Sequence, residues 1–223
     1  WTGLYYSGQM GRFNIASSTF STIAMPYGPS NPAIPVVSRS GHVWITDHQN
    51  NRISEWDPAT STWLSSVIMP TPNCWVVQGS EDVARQNIYF TEYNVSKLGK
   101  KPWVGPVTDI VTPGGGVAFD VYYRNRIYYS EWNAARLGEY NVTTGAIVEY
   151  NFPQTNEVGG PMHKTSTGKI VVGTRNVGYI EVFDPATSTF ASYQIPTAYP
   201  GLKDGLIGDK NGVKLFKKNP MPE

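Results

Sequence analysis

A short strand motif returns along this chain at a nearly constant interval, and that recurrence limits the available folds more than any other feature. Leu4-Tyr5-Tyr6-Ser7, Val43-Trp44-Ile45-Thr46-Asp47, Ile88-Tyr89-Phe90-Thr91-Glu92 and Ile127-Tyr128-Tyr129-Ser130-Glu131 are its strong copies, with weaker ones at Ile170 and Val213. The starts at 4, 43, 88, 127, 170 and 213 are separated by 39, 45, 39, 43 and 43 residues. Such a period suits four-stranded propeller blades, which take roughly 40–50 residues each. No 3.6-residue periodicity is sustained over a helix-length window, so helices do not compete for the same segments.

Each repeat carries the same parts in the same order. A second strand follows a short polar loop, as in Arg52-Ile53-Ser54-Glu55-Trp56, Arg136-Leu137-Gly138-Glu139-Tyr140 and Tyr179-Ile180-Glu181-Val182-Phe183. A turn comes next: Asp57-Pro58-Ala59-Thr60 and Asp184-Pro185-Ala186-Thr187 are near copies, with Asn14 and Asn141 opening related turns. Asp or Asn before Pro favours a type I turn, because Pro presets φ and the side-chain oxygen accepts the turn amides. A third strand then ends close to Pro70, Pro153 or Pro196, and a small-residue segment such as Gly116-Val117-Ala118 precedes the next copy. With strands named A (inner), B, C and D, the chain enters at strand B of its first blade.

The expected fold is therefore all-β: a β-propeller of four-stranded antiparallel blades, forming one domain over residues 1–223. Five B–C–D sets are present, and the residues from Gly205 to Lys218 begin a further blade and stop at its B strand. A ring of six or seven blades in the full protein, with about five and a half present here, accounts for this count. A five-bladed ring with an extra terminal strand is the alternative. The chain begins at Trp1 without an initiator Met, consistent with a processed or truncated product.

Composition narrows the function. Charged residues make up 16% of the chain and net charge is +1, against roughly 25% charged in an ordinary domain. That balance argues against nucleic-acid binding, which uses a basic face. No apolar run reaches the ~18 residues of a membrane-crossing helix, so membrane insertion by this segment is not expected. Cys74 is the single cysteine, which excludes an intramolecular disulfide and reads as a small buried hydrophobe. Gly114-Gly115-Gly116 lacks the Lys-Ser/Thr of a phosphate loop and reads as a tight turn.

Several residues could carry chemistry. Asp47, Glu92 and Glu131 end successive B strands, and His48 follows the first of them. In a propeller the B–C and D–A loops share one rim, which would gather these groups with His163 from Gly159-Gly160-Pro161-Met162-His163-Lys164. Asp47 and His48 could hold a hard divalent cation, with His163, Glu92 and Glu131 as catalytic groups. The structural alternative is that each blade needs an acceptor at that turn, and the regular repetition of the acids favours it. Asn94-Val95-Ser96 and Asn141-Val142-Thr143 fit the N-glycosylation pattern, and both fall in expected loops.

The string Val43 to Asp47 with Asn51-Arg52-Ile53 and the Asp57-Pro58-Ala59-Thr60 turn resembles the repeat of virginiamycin B lyases, also called streptogramin lyases. So do Ile88 to Glu92 with Lys97-Leu98-Gly99-Lys100, and Ile127 to Glu131 with Arg136 to Tyr140. The resemblance covers about five repeats, and the family is similar in outline to NHL-type propellers. It implies the propeller fold. It would also imply a metal-dependent lyase that opens a cyclic depsipeptide at its ester linkage, with His and Glu side chains around magnesium or another divalent cation. This sequence departs from that pattern: it has three histidines, His42, His48 and His163, and none sits in a Glu-x-His pairing. The reading carried forward is an extracellular or cell-surface propeller, secreted and glycosylated, that binds a protein or carbohydrate partner through loops rich in Tyr, Trp and Asn and needs no cofactor. The alternative is a lyase or lactone-opening enzyme of the virginiamycin B lyase type.

Overall fold

Strands alternating apolar with small polar residues, separated by Asp/Asn turns, fold locally into antiparallel sheets, and each sheet has two faces to bury. The computed structural model describes residues 1–195 except 83, 85, 176 and 177, together with the backbone of 206–209 and 212–215. The described residues form strands and turns, with no α-helix. Sheet 1 comprises β1 (Thr2–Leu4), β2 (Gln9–Asn14) and β3 (Thr19–Ala24). Sheet 2 comprises β4 (Pro32–Val37), β5 (Val43–Asp47), β6 (Arg52–Asp57) and β7 (Thr62–Ile68). Sheet 3 comprises β8 (Val76–Asp82), β9 (Asn87–Glu92), β10 (Lys97–Pro102) and β11 (Thr108–Val111). Sheet 4 comprises β12 (Val117–Tyr123), β13 (Arg126–Glu131), β14 (Arg136–Asn141) and β15 (Ile147–Asn151). Sheet 5 comprises β16 (Gly159–Lys164), β17 (Ile170–Thr174), β18 (Tyr179–Asp184) and β19 (Thr189–Gln194), and β20 (Leu206–Asp209) pairs with β21 (Gly212–Leu215). Each four-stranded sheet runs A-B-C-D in chain order, and sheet 1 contributes B, C and D.

The first copy of the repeat sits differently from its sequence reading. Tyr5-Tyr6-Ser7 form a turn instead of a strand, closed by the Ser7 amide on the Leu4 carbonyl at 3.0 Å, with Gly8 at a φ of 64°. Leu4 pairs with Gln9 as Asp47 pairs with Arg52 and Glu92 with Lys97. The first B strand therefore ends at Leu4 instead of starting there. Matching by apolar character alone shifted that copy, because Tyr5 and Tyr6 have good strand propensity but stand beyond the strand end.

Contacts divide the chain into two compact units, Trp1–Val117 and Ala118–Glu223. In the first unit, Met10, Met25, Val43, Ile45 and Trp56 fill the space between sheets 1 and 2. Trp44, Ile53, Met69, Cys74, Val76, Ile88, Phe90 and Val107 do the same between sheets 2 and 3. The Thr46 hydroxyl of β5 donates to the Val77 carbonyl of β8 at 2.8 Å, tying strand B of one sheet to strand A of the next. In the second unit the core is Tyr128, Leu137, Phe152, Met162, Ile170, Val172 and Phe183, and Ser130 donates to the Gly160 carbonyl at 2.9 Å. Each such side chain contributes about 1.5–3 kcal/mol on burial.

Within a sheet, strands B and C exchange volume. Phe90 lies opposite Gly99, Tyr129 opposite Gly138, Ile45 opposite Ser54 and Val172 opposite Glu181. The larger the B residue, the smaller its C partner. A Cβ on Gly138 would lie 2.0 Å from the Tyr129 ring. Tyr129 is fully buried and its hydroxyl has no hydrogen-bond partner, an arrangement that costs about 1–3 kcal/mol for an unsatisfied polar group. In sheet 3 the space over Gly99 is taken by Met69 Cε and Glu92 Oε1, and the Phe90 ring lies against Gly79 of strand A. Tyr129→Phe is expected to raise stability by about 1 kcal/mol, read as a higher urea midpoint at unchanged slope.

Candidate functional site

The acids that end the B strands, Asp47, Glu92 and Glu131, are fully buried. Asp47 accepts hydrogen bonds from Ser30 Oγ at 2.5 Å, the Asn31 amide at 2.9 Å and Asn50 Nδ2 at 3.1 Å. Its charge is consumed in holding the D–A and B–C loops of sheet 2 together. Glu131 accepts from Arg136 Nε at 2.9 Å, and the same guanidinium donates to Glu149 at 2.7 Å. Glu92 has the matching neighbours, Lys97 and Asp109, with Lys97 2.9 Å from Asp109 and also bonded to Thr71. Neither Glu92 oxygen finds a hydrogen-bond donor. Burial, reinforced by the Asp109 charge, pushes the Glu92 carboxyl up to about 8. Burial beside Glu149 does the same for Glu131, also to about 8.

In sheets 3 and 4 the second acid comes from strand D: Asp109 lies opposite Gly99 and Glu149 opposite Gly138. In sheet 5 the carboxyl comes from strand C as Glu181, opposite the small Val172 and bonded by Ser192 at 2.8 Å. Its neighbour Glu157 is also buried, and Glu181 is pushed up to about 7, chiefly by burial.

The other expected site residues are scattered. His163 is not on a D–A loop; it lies inside β16, paired with Val171, while Gly159 at the other end of β16 pairs with Thr174. At roughly 3.3 Å per residue, His163 stands about 13 Å along the strand from Gly159, where a Cβ would touch Glu131. Sheet geometry thus separates His163 from Glu131. The sequence reading failed because the Gly-Gly-Pro run looks like a turn, yet here it bends a strand through a bulge between Gly159 and Met162. His42 bonds Glu55 through Nδ1 at 2.8 Å. Asn94 is exposed in the β9–β10 turn and donates to the Asn73 carbonyl at 3.1 Å. Asn141 ends β14, where its Oδ1 accepts the Thr143 and Thr144 amides.

Among the described residues, no three His, Cys, Asp or Glu side chains form a metal-holding group. Asp47 has its oxygens taken by protein donors, and Glu131 has a guanidinium as partner.

What does converge is aromatic, and the sequence reading missed most of it. His48 has the rings of Tyr5, Trp75 and Tyr93 at 5.8, 5.4 and 6.4 Å between centroids. Trp75 and Tyr93 are parallel within 3° at 5.9 Å, and Tyr6 meets Tyr5 edge-on at 5.1 Å. His48 Nδ1 lies 3.3 Å from the Val76 carbonyl, so Nδ1 carries the proton and Nε2 is the acceptor. Burial lowers the His48 pKa from its ordinary value, which favours the neutral ring. Trp75 has a φ of 54°, a costly backbone state for a bulky side chain. Its loop is pinned by the Trp75 amide on Asn51 Oδ1, the Tyr93 amide on the Trp75 carbonyl and the Asn94 amide on the Cys74 carbonyl, all at 3.0–3.1 Å. Cys74 is buried with its thiol pushed up to about 12, so it serves packing and not reactivity.

The sequence held a signal for this cluster. Counting one residue past each B-strand end gives Tyr5, His48, Tyr93, Trp132 and Arg175. A ring or a guanidinium follows strand B in all five sheets. In the second unit the Arg175 guanidinium lies 3.4 Å from the centre of the Trp132 ring, and Phe119 is 6.0 Å from the same ring.

The sheets match solved propellers. Over 85% of its length the chain superposes with TM-score 0.78 and 16% identity on virginiamycin B lyase from Staphylococcus aureus. Over 86% it superposes with TM-score 0.80 and 19% identity on a streptogramin B lyase. This chain has the β-propeller fold of the streptogramin lyases. It spans 64% and 63% of the length of those two proteins. The propeller also matches the RRP9 WD40 repeats at TM-score 0.67 and 11% identity, over 76% of this chain and 52% of that one. No protein-family model matches the sequence, and neither does any curated protein.

Proposed function

We propose that this propeller is a binding or assembly module, extracellular or at the cell surface, that engages a partner through the rings following its B strands. The observation that carries the reading is the repeated placement of Tyr5, His48, Tyr93, Trp132 and Arg175 at one position of five sheets. These five side chains are half-buried, and aromatic rings with polar edges are efficient contact groups, since they offer large area at low entropy cost. WD40 repeats among the similar folds are in keeping with a module of this kind. Low charge and the exposed Asn94 within its glycosylation pattern support the extracellular assignment.

The lyase alternative is disfavoured by the committed state of Asp47 and Glu131 and by the distance between His163 and Glu131. A magnesium-dependent ester-opening assay on a cyclic depsipeptide is expected to show no turnover. Turnover abolished by His163→Ala would replace this proposal with the enzymatic one. For the binding role, the labelled chain should be retained on immobilised cell-wall and matrix components, and Tyr93→Ala should weaken retention about tenfold or more. Retention unchanged by Tyr93→Ala and Trp132→Ala together would remove the rings from the binding role.

A further inference from the structure

Strain, neutrality and shape meet at one place in the first unit. Trp75 occupies a left-handed backbone position that glycine would adopt freely, so packing alone does not explain an indole there. The ring is 36% exposed, and Tyr6 beside the cluster is 97% exposed. Gln49 and Asn50 follow His48 in the chain and Asn94 follows Tyr93; Asn50 Nδ2 donates to the Pro29 carbonyl and Asp47, and Asn94 Nδ2 to the Asn73 carbonyl, which leaves their amide oxygens as acceptors. Charge is muted: Asp47 is buried with its oxygens occupied, and the Arg52 guanidinium faces the Tyr27 ring at 4.7 Å. Tyr6 also lines an open depression of about 570 Å³, together with Pro26, Tyr27, Gly28, Pro29 and Ser30.

We infer that the Tyr5–His48–Trp75–Tyr93 cluster and the adjoining Tyr6–Tyr27 depression form a binding site for a neutral carbohydrate, an inference that rests on reading the chain as a binding module. Sugar rings present flat C–H faces flanked by hydroxyl groups. Trp75, stacked on Tyr93 and 36% exposed, offers an apolar ring face, while the His48 Nε2 acceptor and the amide oxygens of Gln49, Asn50 and Asn94 offer partners to hydroxyls. A cationic ligand would find the Asp47 carboxylate already occupied by protein donors. A peptide would seek aliphatic pockets or an open strand edge.

The test uses the full chain with cellohexaose, chitohexaose and mannohexaose, followed by tryptophan fluorescence and titration calorimetry. At least one should bind, and Trp75→Gly should weaken it about tenfold or more. Because glycine relieves the left-handed strain, the same variant should keep its melting temperature within a few degrees of the parent, which separates lost contact from lost folding. Binding that survives Trp75→Gly overturns the inference by placing the sugar elsewhere. No binding to any neutral oligosaccharide, with a displayed peptide library selected through the Trp75 and Tyr93 rings, overturns the ligand class while leaving the binding role standing. Failure of both sugar and peptide to engage the rings overturns the inference and the binding role together.

Discussion

Gly138→Ala is expected to cost about 3 kcal/mol or more, a large part of a stability that for a domain is typically about 5–15 kcal/mol. The added methyl would lie 2.0 Å from Tyr129 Cζ and 2.5 Å from its hydroxyl oxygen. Tyr129 is fully buried, so the ring has nowhere to swing, and either the strand pair or the ring must leave its place. Urea denaturation reads the loss as a lower midpoint. The cause can be isolated with a second substitution. Tyr129→Val reproduces the small B residue that faces Glu181 in sheet 5, and it should restore much of what Gly138→Ala removes. A double-mutant cycle should therefore give a coupling of about 1–3 kcal/mol. Simple additivity would show that the clash is not the source.

The second large effect is in pH. Glu92 and Glu131 are pushed up to about 8 and Glu181 to about 7, each first by burial. In the unfolded chain the same carboxyls ionise near their ordinary values, about 4.3. The folded state therefore holds protons that the unfolded state has released between about pH 4.5 and 8. Stability from these groups is fully present below the unfolded value and lost as pH rises through 7–8. Asp57, held low by Thr60, and Asp184, held low by the Ala186 amide, act in the opposite sense only under acid conditions. The melting temperature should peak on the acid side of neutrality and fall until these carboxyls are ionised in the folded state, near pH 8. Glu92→Gln should flatten that decline and stabilise the protein at pH 9 by about 2–4 kcal/mol. A melting temperature that rises from pH 5 to 9 would contradict the buried, protonated state of these carboxyls.

The sheets were legible in the sequence because their signals are local. Asp57-Pro58 and Asp184-Pro185 close turns by themselves: the Ala59 and Ala186 amides bond the aspartate oxygens at 2.8 and 2.9 Å. The ring-bearing site was less legible for two reasons. Trp75 takes its role from a backbone conformation that no residue type announces, enforced by Asn51 and the β9–β10 turn from across the sheet. Tyr5 was absorbed into a strand because the first repeat was matched on apolar content. Alignment on Asn14, Asp57, Asn141 and Asp184, each ten residues beyond its B-strand end, brings Tyr5, His48, Trp132 and Arg175 into one column. His163 misled because a glycine-rich run can break a strand or only bend one, and the bulge does the latter.

The exchange of volume between neighbouring strands bears on how such an array grows. A bulky ring and its facing glycine are inherited safely only as a couple, since either change alone meets a collision or a void. Copying a whole blade transmits both halves at once, whereas stepwise drift must pass through a crippled intermediate. Gene duplication of complete cassettes is therefore the easier route to new blades, and tyrosine–glycine or valine–glutamate couples should travel together when one blade is transplanted into another ring.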